Sequence, residues 1–195
     1  MDSKRVLDVA VGSVGLVLAA PILAGIAITM RLSGDRGPFL YRARRVGEGA
    51  SVITVLKVRT MTEGSDGSNL TMPADRRVTR LGRVLRRYRL DELPQLVNVV
   101  RGEMSLVGPR PEDPSFVDLS DPLHRRVFNA KPGITGLAQL AFHDEAKRLR
   151  GADAERRYRD EILPAKLRLD AMYLDQRTTM LDLKILLRTI RVVLS

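Results

Sequence analysis

The longest hydrophobic pattern in the chain is a charge-free run over residues 9–30, 22 residues in all. Lys4 and Arg5 precede it, and Arg31, Arg36, Arg42, Arg44 and Arg45 follow it. As a straight helix it would reach about 33 Å, enough for a bilayer core. Pro21 sits near its middle, where a proline removes a backbone donor and crowds the preceding turn, so a kink or break is expected there. Basic flanks prefer the cytoplasmic face. Both flanks satisfy that preference only if the segment enters one leaflet and returns. The preferred reading is a re-entrant helix–break–helix hairpin bent at Pro21, and the alternative is a kinked transmembrane helix with Met1 outside. A cleavable signal peptide fits less well, because the run is long and the chain after it is unusually basic for an exported domain.

Downstream the periodicity changes. Residues 38–43 and 51–58 are rich in β-branched and aromatic side chains, with Gly47 and Gly49 between them, which predicts a β-hairpin. Residues 62–74 collect glycine, serine, asparagine and proline and read as a long loop. Residues 76–90 read as an amphipathic helix whose buried stripe is Leu81, Val84, Leu85 and Tyr88. Pro94 suits the first turn of a further helix ending near Gly102. The tail from Asp153 reads as helical with a break at Pro164. Near its end Leu181, Ile185, Leu186 and Ile190 recur at helical spacing beside Lys184, Arg188 and Arg191. Such a face suits a helix in the headgroup layer and equally one packed on the core.

Composition narrows the partners. The chain has 195 residues and a formal net charge of +10, enough length for one domain with a real core and a balance that favours an anionic partner. There is no cysteine, and His124 and His143 are far apart, so neither a disulfide framework nor a thiolate or histidine metal site is expected. Aromatics make up only 4% of the chain and only Tyr88 lies among the clustered arginines, which counts against base stacking and nucleic acid.

Candidate chemistry concentrates at one junction. Seven arginines lie between Arg76 and Arg89, and the run ends on Asp91-Glu92. Carboxylates beside so much positive charge are expected to stay ionised. Such a pair can hold Mg²⁺, one member can attack an electrophile, and the arginines can hold phosphate. The plainer reading is a basic helix face neutralised by two acids at a turn. Gly108-Pro109-Arg110-Pro111 adds a guanidinium on a backbone stiffened from both sides, a good phosphate clamp. Lys57, closing the second predicted strand, offers another phosphate contact. The segment 131–136, Lys-Pro-Gly-Ile-Thr-Gly, reads as a turn that shapes a pocket wall.

In this order and spacing the motifs resemble the bacterial sugar transferases, specifically the small monotopic polyprenyl-phosphate phosphoglycosyl transferases. The resemblance rests on Lys4-Arg5-Val6-Leu7-Asp8 before an apolar segment with a central proline, on Leu56-Lys57-Val58-Arg59-Thr60-Met61, and on Leu90-Asp91-Glu92-Leu93-Pro94-Gln95-Leu96. It continues through Gly102-Glu103-Met104-Ser105-Leu106-Val107-Gly108-Pro109-Arg110-Pro111 and Pro132-Gly133-Ile134-Thr135-Gly136-Leu137-Ala138-Gln139. It implies an α+β, predominantly helical, monotopic membrane protein. Residues 1–31 would form the re-entrant membrane helix, and residues 32–195 a compact catalytic domain on the cytoplasmic face of the bacterial inner membrane. The implied reaction transfers a sugar-1-phosphate from a nucleotide diphosphate sugar, usually a UDP-sugar, to a polyprenyl phosphate such as undecaprenyl phosphate, as a first membrane step of glycan assembly. It further implies Asp91 as the nucleophile forming an aspartyl–phosphosugar intermediate and Glu92 as its Mg²⁺-side partner. Lys57, Arg86 and Arg110 would be phosphate ligands and Pro21 the helix break. The additional amino-terminal membrane domain of the family's larger members is not expected. After Gln139 the chain departs from the family pattern: Leu140-Ala141-Phe142-His143-Asp144-Glu145 stands where many members read Val-Asn-Gly-Arg and then carry a tryptophan. Two rivals remain from the residues alone: a membrane-anchored basic protein that binds nucleic acid or anionic lipid, and an anchored phosphohydrolase needing no lipid acceptor.

Overall fold

A computed structural model describes residues 3–62, 75–145, 149 and 153–194. Apart from Thr62, the loop expected over residues 62–74 lies outside the described residues.

Helix α1 spans Ser3–Leu32, 30 residues with Pro21 inside. The expected helix–break–helix is not seen as two helices. A proline inside a helix costs the bond to the carbonyl four residues earlier, here Val17, and the turns on either side can persist around that one loss. One narrow stripe of α1 faces the rest of the molecule: Asp8, Gly12, Ala19, Ile26 and Met30 are buried, Gly15 lies against Leu96 and Leu23 packs beside Ile26. The spacing of three and four is that of one helix face, and its small residues let backbones approach closely. The opposite face exposes Val14, Val17, Leu18, Ile22, Ile28 and Leu32. By length and composition α1 is apolar enough to cross a membrane.

The expected hairpin is present as β1 (Leu40–Val46) and β2 (Val52–Val58), antiparallel from Leu40 opposite Val58 to Val46 opposite Val52. Its first strand runs three residues past the predicted end, because Ala43 and Val46 point into the core. Helix α2 covers only Arg80–Arg87. Its start is fixed by Thr79, whose hydroxyl accepts from Gly82 N at 2.9 Å, so residues 76–79 are not helical. Of the predicted stripe Leu85 is buried and Leu81 packs partly buried beside it; Val84 and Tyr88 are exposed and Gly82 is buried instead. The glycine explains the rotation. A Cβ at Gly82 would lie 2.3 Å from the Thr60 carbonyl oxygen, so α2 packs through its bare backbone and turns Val84 outward.

A 3₁₀ turn, Leu90–Glu92, leads into α3 (Gln95–Arg101), which ends at Gly102 as predicted. Strand β3 (Ser105–Val107) pairs in parallel with β4 (Gly133–Thr135). Between them lies α4 (Pro122–Phe128), and after β4 comes α5 (Leu137–Ala141). Then α6 (Ala154–Arg157) runs through a π turn, Tyr158–Ile162, directly into α7 (Leu163–Gln176). The break expected at Pro164 is absent. The wider π turn makes room for the proline ring, and the chain leaves helical geometry only at Arg177. Helix α8 (Thr179–Leu194) closes the described chain. It buries Asp182 and Ile185 while Met180, Leu183, Leu187 and Ile190 face outward, so it combines a core-packed face with a second, exposed apolar one.

Candidate active site

Three separated stretches of chain converge at Asp91-Glu92. The first is β2, which carries Lys57 at its end. The free edge of β2 is held by Asn98 of α3, whose amide oxygen accepts from Leu56 N at 3.1 Å and whose amide nitrogen donates to Thr54 O at 2.8 Å. Asn98 is fully buried. Because α3 begins just after the dyad, these two bonds set the strand end beside it. Lys57 Nζ then donates to Glu92 Oε1 at 3.2 Å.

The second stretch is the end of α2. Arg86 is fixed by its Nε, which donates to Thr60 Oγ1 at 2.8 Å. Arg89 follows the helix in the left-handed conformation, φ 54°, a position that glycine usually takes at a helix end. A non-glycine residue there carries roughly 1 kcal/mol of backbone cost. The kink turns the chain so that Asp91 is buried at 8% exposure, and places Arg89 Nη1 3.9 Å from Glu92 Oε2.

The third is the Pro109-Arg110-Pro111 loop after β3. Segment 131–136, expected as a pocket wall, holds the start of this loop. Gly133 N donates to Pro109 O at 2.8 Å and Gly108 N to Thr135 O at 2.9 Å. A Cβ on Gly133 would sit 2.1 Å from Gly108 N, so only glycine permits the approach. The Arg110 guanidinium is coupled electrostatically to Glu92 of the dyad and also to Glu112 and Glu145.

The two carboxylates have different environments. Burial pushes the Asp91 carboxyl up, the neighbouring Glu92 charge adds to this, and Lys57 and Arg86 oppose it incompletely. Burial acts on Glu92 in the same sense, but Lys57, Arg110 and Arg89 together outweigh it and hold Glu92 down at about 2. The cations expected to keep the pair ionised converge on Glu92 and offset the burial of Asp91 only in part. Among the described residues Glu92 forms ion pairs with Lys57 and Arg89, and Asp91 forms none.

Lys57, Arg86, Asp91, Glu92 and Arg110 are thus brought together. Pro21 lies apart, exposed on α1. Arg89 belongs to the cluster and was not singled out from the sequence, where nothing marks it among its arginine neighbours. Thr60 and Asn98 carry no local mark of their roles either, because those roles depend on contacts with residues far along the chain. Among the described residues there is no group of three or more potential metal ligands, so any cation here would rest on the Asp91-Glu92 pair and on substrate oxygens.

Comparison with known proteins adds an independent line. The sequence model of the bacterial sugar transferase family matches residues 2–195. Over 192 residues the chain is 40% identical to the UDP-glucose:undecaprenyl-phosphate glucose-1-phosphate transferase of Caulobacter vibrioides, covering 96% of this chain and 68% of that one. It is 36% identical over 197 residues to the UDP-N-acetylgalactosamine-undecaprenyl-phosphate N-acetylgalactosaminephosphotransferase of Aeromonas hydrophila, covering 98% and 44%. It is 38% identical over 200 residues to the undecaprenyl-phosphate glucose phosphotransferase of Komagataeibacter xylinus, covering 98% and 36%. The chain therefore spans less than half the length of the last two.

Proposed function

The chain belongs to the bacterial sugar transferase family, and from that premise we propose that it transfers a sugar-1-phosphate from a UDP-sugar to undecaprenyl phosphate at the membrane. The observation that carries this reading is the convergence of Lys57, Arg86 and Arg110 on the buried Asp91-Glu92 turn, in a chain matched by the family over residues 2–195.

Asp91 is the nucleophile. Its carboxylate oxygen attacks the sugar-bearing phosphorus of the donor; the bridging P–O bond breaks and UMP leaves, giving an aspartyl–phosphosugar. An oxygen of undecaprenyl phosphate then attacks the same phosphorus, the Asp91–phosphorus bond breaks, and the carboxylate is restored. One pocket therefore serves a water-soluble donor and a lipid acceptor in turn. The raised proton affinity of Asp91 suits a nucleophile whose charge Lys57 and Arg86 offset only in part until substrate arrives. Lys57, Arg86 and Arg110 hold the phosphates, in a reaction governed by alignment and charge neutralisation.

Asp91 and Glu92 are the residues that would hold Mg²⁺. Two carboxylates without a third protein ligand suit a cation that completes its shell from water and phosphate oxygens. When bound it would neutralise diphosphate charge.

The anchor reading is that α1 enters one leaflet, with Pro21 at its deepest point and both ends at the cytoplasmic face. It is supported by where those ends dock. Arg5 donates to Val99 O and Val100 O at 2.6 and 2.7 Å, Asp8 accepts from Leu106 N at 2.9 Å, and Ile26 and Met30 pack with Val58 and Leu85. Both termini of the helix thus sit on the domain that carries the site, which a simple crossing would separate.

The nucleophile is tested with Asp91→Asn. Full-length protein is incubated with UDP-sugar and undecaprenyl phosphate, and UMP release and covalent sugar-phosphate on the protein are read. Turnover is expected to fall by about three orders of magnitude or more, with no covalent adduct. Substantial turnover by the variant would sink the assignment.

A further inference from the structure

Helix α7 turns three buried polar side chains toward the Arg110 loop. Lys166, Asp170 and Tyr173 are each about 2% exposed and are spaced i, i+4, i+7, so they share one face. Each reaches a different point of the loop. Tyr173 OH donates to Asp182 Oδ1 at 2.6 Å and accepts from Lys4 Nζ at 3.2 Å, and the same ammonium donates to Val107 O at 3.0 Å, so Tyr173 reaches the end of β3 through Lys4. Asp170 Oδ2 accepts from Arg110 N at 3.3 Å. Lys166 Nζ donates to Glu112 Oε1 at 2.7 Å. Tyr158, at the start of the π turn, donates to the other Glu112 oxygen at 2.7 Å and accepts from Lys166 at 2.9 Å.

The charges coupled to Arg110 matter as much as the grip. Glu112 lies two residues along the loop, and Glu145 lies in the segment where the chain departs from the family pattern. Both act on the Arg110 guanidinium. Lys166 pairs with both, at 2.7 and 3.1 Å. Without it, the charges of Glu112 and Glu145 would act on Arg110 with no Lys166 to offset them, in competition with Glu92.

We propose that Lys166, Asp170 and Tyr173 are positioning residues that fix the Arg110 loop from behind, and that Lys166 keeps Arg110 available to the donor phosphates by neutralising Glu112 and Glu145. This rests on the reading of Arg110 as a phosphate ligand. It also assigns a role to the divergent segment: Glu145 adds a second acid that Lys166 has to balance.

The test is a set of double-mutant cycles on the full chain in detergent, reading UDP affinity with Mg²⁺ by calorimetry. Arg110→Ala and Lys166→Met are each expected to weaken UDP binding by roughly tenfold or more. Lys166→Met in the Arg110→Ala background is expected to add nothing, because Lys166 acts through Arg110. Glu112→Gln added to Lys166→Met should recover most of the loss. Should Lys166→Met not fold, Tyr173→Phe runs the same cycle, with a several-fold loss that disappears when Arg110 is absent. Losses that multiply in the double variants would overturn the inference, as would wild-type affinity in Lys166→Met while Arg110→Ala is impaired. Wild-type affinity in Arg110→Ala would instead remove the phosphate reading on which it rests.

Discussion

At the scale of single residues, the site depends on which charges are buried beside which. Of the seven clustered arginines, Arg86 is tied down by Thr60 and Arg89 is turned toward Glu92 by its left-handed backbone. No local pattern separates these two from Arg76, Arg80, Arg83 or Arg87. The same dependence appears at Asp170. Burial raises its pKa to about 7, with Glu112 adding to the rise and Lys166 and the N–H groups of Arg110 and Ala138 opposing it. An unfolded aspartate loses its proton near pH 4. Between about pH 4 and pH 7 the folded state therefore binds more protons than the unfolded one, and this group makes stability fall as pH rises through that window. The full effect is at most about 4 kcal/mol. Asp170→Asn has no such term. Thermal unfolding of both proteins across this range should show the wild type losing ground to the variant as pH rises; parallel curves would rule the effect out.

At the scale of elements, local signals located most pieces and tertiary contacts moved their edges. The hairpin, the helix after Pro94 and its end at Gly102 are legible because turn glycines and alternating side chains act within a few residues. Helix α2 departs from its predicted stripe because its packing face includes a glycine, invisible to a count of apolar side chains. Gly82→Ala should therefore be harmful although alanine favours helices. The new methyl would push on the Thr60 carbonyl, costing about 1–3 kcal/mol as overpacking. Since Thr60 also holds Arg86, turnover should fall as well. Circular-dichroism melting and UMP release check both, and a melting temperature equal to wild type would refute the close contact. The tail lacks its expected break for a related reason: a π turn accommodates Pro164 within a continuous helical run.

At the scale of the whole molecule, the question is how α1 joins the rest. Its two ends dock on one domain and its outer face is apolar along most of its length. The chain contains no cysteine, so Ser3→Cys and Ser33→Cys each provide a unique label site at one end of α1. In oriented membrane vesicles a membrane-impermeant maleimide should reach both sites from the cytoplasmic side and neither from the other. Labelling from opposite sides would refute the one-leaflet anchor. Sequence alone determined the length and apolarity of this helix, the family, and the types of group at the site, because hydropathy and motif order are properties of neighbouring residues. Only the tertiary structure decided which cations meet which carboxylate, why Asp91 and Glu92 differ, and what stands behind Arg110. Those answers come from side chains separated by tens of residues along the chain, and their electrostatics depends on a shared burial that no local pattern records.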